Sequence, residues 1–440
     1  MSIAKQKASS EQLALKSQML SAFETFEKSV ADTDTPFLRR LRSSAIARFD
    51  ELGFPGSKDE EWRFTPLNKL YQHTFPLAKN QSEPLTDPFA IPNTIRVVCT
   101  DGFFRPELSQ LEGLPAGCTI LSLNDALTSK AELVENHLAR HATFDDRVFA
   151  ALGTAFLQDG VFIHLSRECV IEQPIHLIFQ ESGRGVMAFP RILVLADKHS
   201  QATIIETHHS AGEKPDLTVA VSEFVLCVEA RIDHYRVNDV ATTSFHFLTQ
   251  QTRQCRGSNF RSHAFTHGGD LVRNDLFANL TAENCETTLN GLYTADASRL
   301  IDNHTTIDHA MPHCNSHEIY KGIIADKGKG VFNGKIFVRQ DAQKTDAKQT
   351  NQTLLLSPDA TIDTKPQLEI FADDVKCTHG ATVGQLDADM LFYLRSRGIS
   401  VPEAETMLTF AFANELISRV NIPALREELE HRFLNTSVSE

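Results

Sequence analysis

GKGVFNGKIFVRQDAQKTDAKQTNQTLLLS, residues 328–357, is the stretch whose reading decides the fold. Short β-prone runs such as VFNGKIFV are broken by glycines that read as corners, and a polar tract follows with amides at Gln343, Gln349, Asn351 and Gln352. No helical period of 3.6 runs through it. Amides buried singly in a core are costly, but in a solenoid they can stack between neighbouring coils and satisfy one another. A parallel β-helix therefore suits the stretch better than a propeller or an immunoglobulin-like sandwich, because no WD-like, kelch-like or Cys and Trp signature is present.

Upstream, from Gly160 onward, more than about two hundred residues carry the same texture of short alternating strands punctuated by Gly, Asn, Asp and Pro. The clearest alternation is at residues 224–232, where Phe224, Leu226, Val228, Ala230 and Ile232 fall on one face and Glu229, Arg231 and Asp233 on the other. Before this body the pattern is helical. Residues 11–30 form an amphipathic helix, and a second runs over 36–52 with Thr35 as cap, Pro36 in the first turn and Gly53 as stop. SKDEEWRFTPL then brings the single tryptophan, Trp62, read as a lid anchored by Trp62 and Phe64. Residues 80–92 have the composition of a linker or of an edge of the helical domain, IRVVCTDGFF reads as a strand pair turning at Asp101 and Gly102, and helical patches follow at 124–140 and 145–157. Downstream the helical period returns after Leu386. Gly398 closes one helix, and Ser400 with Glu403 forms a capping box that opens the next through Val420, before a charged last helix. The expected domains are residues 1–90 (helical), 91–385 (β-helix, with short helices before about 160) and 386–440 (helical).

With 43 basic and 57 acidic residues the net charge is −14, which argues against nucleic acid or an anionic membrane as the main partner. Eight cysteines are scattered singly, with no C-x-x-C pair, as suits a reducing compartment. The first residues lack a secretory core and no apolar run approaches a membrane span, so a cytoplasmic protein is expected.

The most chemical stretch is ADDVKCTHGATVG, residues 372–384. Extended, it puts Val375, Cys377 and His379 on one face, so a thiol and an imidazole point the same way. Both can bind iron or zinc, with Asp373 and Asp374 as nearby oxygen donors. A metal or cluster usually wants about four protein ligands, so other parts of the fold or a second polypeptide would have to complete the site. The densest histidine run, with His304, His309, His313, Cys314 and His317, matches no metal-binding grammar, and structural roles as interior ladders and turn hydrogen bonds are expected there. His208 and His209, being adjacent, fall on opposite strand faces as surface or core residues. No P-loop, dinucleotide fingerprint or nucleophile elbow occurs.

KDEEWRFTPL, the run from VFNGKIFVRQDAQ through FADDVKCTHGATVGQLDADMLFYLRSRGI, and EAETMLTFAFANELI closely resemble the SufB/SufD family of iron-sulfur cluster assembly proteins, over the whole chain. The early EEWRFTPL segment and the short helical N-terminus resemble the SufD branch. The resemblance implies a right-handed parallel β-helix between N- and C-terminal helical domains. It also implies a non-catalytic scaffold subunit that supports cluster formation and iron acquisition within a SufBCD complex. The implied partners are a SufB-like subunit, met through the β-helix end, and a SufC-like ATPase, met through the C-terminal helices; a homodimer is the form open to it alone. Cys377 and His379 match positions at the SufB interface, as ligands of iron or an iron-sulfur cluster held transiently and shared; no nucleotide is expected on this chain. Two other classes fit the residues without the resemblance. One is a polysaccharide-active β-helix enzyme. The other is a purely structural interaction solenoid, in which Cys377 and His379 are a buried thiol and a core histidine.

Overall fold

The computed structural model describes residues 9–32, 34–81, 84–212 and 214–436. Its centre is a parallel β-solenoid, and its strands in chain order are β1 (Ile95–Thr100), β2 (Phe103–Phe104), β3 (Cys118–Ser122), β4 (Gly160–Leu165), β5 (Ile175–Glu181), β6 (Met187–Ala188), β7 (Arg191–Ala196), β8 (Gln201–Ser210), β9 (Leu217–Leu226) and β10 (Arg231–Asp239). They continue as β11 (Phe245–Gln254), β12 (Asn259–Thr266), β13 (Leu271–Leu280), β14 (Glu286–Ala295), β15 (Leu300–His309), β16 (Asn315–Ile324), β17 (Lys329–Val338), β18 (Asp346–Leu355), β19 (Thr361–Ile370) and β20 (Lys376–Gly384). From β7 onward the odd strands stack into one sheet and the even strands into another, each pairing in parallel with the strand two places on. Leu271 lies beside Leu300 and Leu300 beside Lys329, so a coil here takes 29 residues. The chain climbs one strand spacing per coil.

Inward residues of the two sheets form the main apolar core, with Ile232, Phe260, Ile301 and Phe332 among its members. Outward faces are covered by helices. α1 (Ser10–Val30), α2 (Pro36–Leu52) and α5 (Val148–Ala155) pack Phe23, Phe49 and Phe149 against Leu217, Phe245 and Phe247 of the odd sheet. Thr35 accepts a hydrogen bond from the Leu38 amide and Gly53 ends α2 at φ +64°, as the sequence reading expects. α3 (Leu123–Ser129) and α4 (Ala131–Glu135) close the early coils. At the other end come α6 (Ala388–Ser396), α7 (Val401–Ile417) and α8 (Pro423–Thr436), with the Ser400 and Glu403 capping box in place. The end of α7 and α8 lay Ala413, Leu416, Ile417, Leu429 and Phe433 on Tyr235, Val237 and Leu292 of the even sheet. α6 buries no residue.

Three local readings change. Residues 224–232 are not one strand: β9 ends at Leu226 and β10 begins at Arg231, with Glu229 at φ +57° in the corner between them. The alternation survives because the inward face continues around the turn. Gly330 and Gly334 are not corners but inward positions within β17, and Gly334 leaves room for the Gln349 amide. Residues 84–92, read as a linker or an edge of the helical domain, are strapped to the solenoid, since the Thr86 amide donates to Gln180 of β5 at 2.7 Å while Phe89 and Ile91 are buried.

Candidate functional site

β20 is the outermost strand of the even sheet, and β19 of the odd sheet. Each pairs on one side only, with β18 and β17. In β20 the register sets Cys377 beside Ala347 and His379 beside Gln349. Ala347 and Gln349 are buried inward residues, so Cys377 and His379 continue the inward rows one coil further. No coil covers them there: Cys377 is half-buried against Ala347 and Val375, and His379 is exposed. Burial raises the Cys377 thiol above its ordinary range, with the Ala347 backbone opposing. Of the two carboxylates upstream, Asp374 pairs with Lys344 across the corner, and Asp373 is exposed.

Behind His379 the lumen is unusually polar. Gln349 donates to Glu318 at 2.7 Å, and burial pushes the Glu318 carboxyl up to about 7 while Thr305 and Gln349 hydrogen bonds oppose it. Deeper, Asn274 donates to Asn303 at 2.9 Å, and Arg236 donates to Asn274 at 2.9 Å. Glu206 contacts His208 at 2.6 Å and His234 at 3.1 Å; burial opposes its charge, but the two imidazoles hold it well below the usual carboxylate range. The expected amide stack is thus a mixed one, because Gln349, Asn351 and Gln343 bond to Glu318, Thr364 and the Asp374 amide rather than to each other.

The histidine run is dispersed. His309 points inward to Ser316 at 2.9 Å, His313 occupies a corner at φ +59°, Cys314 is buried with its thiol toward the Ala282 carbonyl, and His317 is exposed. His304 and His317 depart from ladder and turn roles: His317 is exposed within β16, and His304 faces outward between Asp302 and Glu61. His208 and His209 are both core residues on opposite faces. Sequence reasoning did not find the Glu61 to His304 clamp or the buried Arg191 to Glu223 pair, whose partners lie 243 and 32 positions apart. Among the described residues, no three His, Cys, Asp or Glu side chains converge as a metal ion would require. Cys377 and His379 are donors of the right softness for iron or zinc, and two are fewer than the roughly four protein ligands that such a site usually takes.

The SufBD core domain of the SUF system for FeS cluster assembly matches residues 178–412, and the SufBD N-terminal region matches residues 13–177. This chain belongs to the SufBD family. Within the family it is 33% identical over 414 residues to an iron-sulfur cluster assembly SufBD family protein of Synechocystis, covering 91% of each chain. It is also 33% identical over 389 residues to the iron-sulfur cluster assembly protein SufD of Escherichia coli, covering 87% of this chain and 89% of that one. The chloroplastic protein ABCI7 of Arabidopsis thaliana is 28% identical over 407 residues, with 89% and 84% covered. A SufBD assembly function, rather than polysaccharide chemistry, is what these matches support. No helix among the described residues is long and apolar enough to cross a membrane.

Proposed function

We propose that this SufBD-family chain is the SufD-type scaffold subunit of an iron-sulfur cluster assembly complex, and that Cys377 and His379 are its half of a cargo site completed by a SufB-type subunit. The observation that carries the reading is their placement: a thiol and an imidazole, two positions apart on one face of the last strand, at the open end of the solenoid. Edge strands β19 and β20 offer unpaired backbone groups, and the exposed apolar Ile370, Phe371 and Val383 lie on the same coil, as a partner's sheet would require. Iron, sulfide or a cluster is the cargo, held transiently. The chain's own part is to hold one soft and one borderline donor toward the partner.

The C-terminal helices, within residues 386–440, are the docking site for a SufC-type ATPase in this reading. Its support is α6, whose Phe392 is 72% exposed with Met390 and Tyr393 beside it, while α7 and α8 anchor the unit to the even sheet. ATP hydrolysis then belongs to the partner, and the chain acts as a scaffold without a reaction of its own. A cytoplasmic setting accords with the eight free thiols.

The test is co-purification with both partners, followed by iron and sulfide analysis. His379→Ala and Cys377→Ser should leave the complex intact and lower its cargo content; unchanged cargo in both variants would remove the shared site. Phe392→Asp should release the ATPase and keep the SufB-type subunit, and retained ATPase would remove the docking assignment.

A further inference from the structure

On the face of the solenoid opposite its lumen, the odd sheet carries a cavity of about 410 Å³, walled by the Glu61 and Trp62 turn on one side and the start of α5 on the other, its floor reaching β19. That size suits a small organic ligand. Register places Phe277, Thr306, Lys335 and Gln367 in one row across its floor, with buried Gln251 next in the row behind Phe277. Trp62, Phe149, Phe277 and Phe337 supply apolar wall, while Thr306 and Gln367 supply neutral hydrogen-bonding groups.

The charges sort themselves by pairing. Glu61 is held by His304 at 3.2 Å, Asp275 by Arg273 at 2.8 Å and Asp308 by Arg339 at 2.7 Å. Lys335 meets Glu369 at 2.5 Å in a pair open to solvent. Arg147 is different. Its guanidinium lies 3.5 Å over the Phe277 ring and donates to Gln251 at 3.2 Å, and its nearest carboxylate, Asp146, stands 3.8 Å off with its side chain 85% exposed. An arginine has five donors, and a partly buried guanidinium whose one ion pair is long and open to solvent favours an anion that supplies a closer charge. Burial lowers the Arg147 pKa, with Asp146 and Asp275 opposing.

We infer that this cavity binds a small organic anion, its carboxylate or phosphate head on Arg147 and its apolar body against Phe277 and Phe337. The site is independent of Cys377 and His379, and nothing in it requires the cargo.

Trp62 is the chain's single tryptophan and stands in the cavity wall, so its fluorescence reports on this place. The full chain is titrated with benzoate and with phenyl phosphate, and with benzamide and phenol as neutral counterparts. At least one anion should change Trp62 emission saturably, and whichever binds tighter tells carboxylate from phosphate chemistry. Arg147→Gln should weaken that binding about tenfold or more, as loss of a charge-assisted bidentate contact does. Thr306→Phe, which fills the floor, should abolish it. Absence of a saturable change with both anions, equal binding of the neutral analogues, or undiminished binding in either variant would overturn the assignment. If Arg147→Gln fails to fold, the anion against neutral comparison in the unaltered chain decides the charge requirement and Thr306→Phe decides the location.

Discussion

Replacing His304 by Gln should remove a stabilising contribution that depends on pH in a defined direction. The imidazole sits on β15, with Nε2 3.0 Å from Asp302 Oδ1 and Nδ1 3.2 Å from Glu61 Oε2. Asp302 is itself fixed by Arg273 at 2.8 Å and by the Thr65 hydroxyl at 2.6 Å, and Arg273 also donates to the Glu61 carbonyl. Residues 60–65 are thereby clamped to the solenoid. Burial pushes the imidazole pKa down, but Asp302 first and Glu61 after it outweigh burial and raise it from 6.5 to about 9. A shift of that size corresponds to about 3 kcal/mol. Because the folded value is raised, the contribution is fully present below about pH 6.5 and disappears as pH rises through about 9. With an unfolding entropy of about 2 cal/mol/K per residue over a chain of this length, it equals about 3 °C in melting midpoint. Midpoints of the natural chain and His304→Gln, measured from about pH 6 to about pH 9.5, should differ most at the acidic end and converge by about 3 °C at the alkaline end. A gap that is constant, or that widens with pH, would refute the charged clamp.

Glu223→Gln should cost about 3 to 5 kcal/mol, because buried Arg191 loses its counter-charge and the Ala139, His141 and Ala142 amides lose a charged acceptor; a midpoint lowered by less than about 1 °C would contradict it. Glu318→Gln should do the opposite: its carboxyl is raised from 4.5 to about 7, so ionisation penalises the folded state as pH climbs through that window, and the variant should gain up to about 3 kcal/mol over the natural chain at pH about 8.5 and nothing near pH 4.5. An equal offset at both pH values in chemical denaturation would count against this. Gly291→Ala should destabilise by about 1 to 3 kcal/mol, since a Cβ there runs into the Tyr320 ring, whereas Gly380→Ala on open β20 should change little; similar midpoints for the two variants would be the wrong result.

Much of the architecture was legible because solenoid strands keep their alternation, and because helix ends carry local chemistry. Thr35, Gly53, Ser400 and Glu403 each act through neighbours within about four positions, and each is where the sequence puts it. The corner inside residues 224–232 was not legible, because Val228 and Ala230 preserve the period of two through a turn made by Glu229 in a left-handed conformation. The amides at Gln349 and Asn351 signalled a polar interior, but which group each one meets depends on the coil above and below. The same reason hid the His304 clamp. For Cys377 and His379 the alternation gave the shared face, and the register added what sequence cannot: that this face continues the inward rows on the last coil, which has a neighbour on one side only.

That open end grades stability along the molecule. Each inner coil is held by two neighbours, whereas the coil of β19 and β20 is held by one, and its residues are half-buried or exposed where those of β9 are buried throughout. In a repeat structure the stability of a coil is roughly its own term plus one for each neighbour. The final coil should therefore show the fastest amide exchange of the solenoid. A chain that covers it would stabilise it by mass action, which makes occupancy of the last strand, rather than the melting of the whole, the quantity that follows partner concentration.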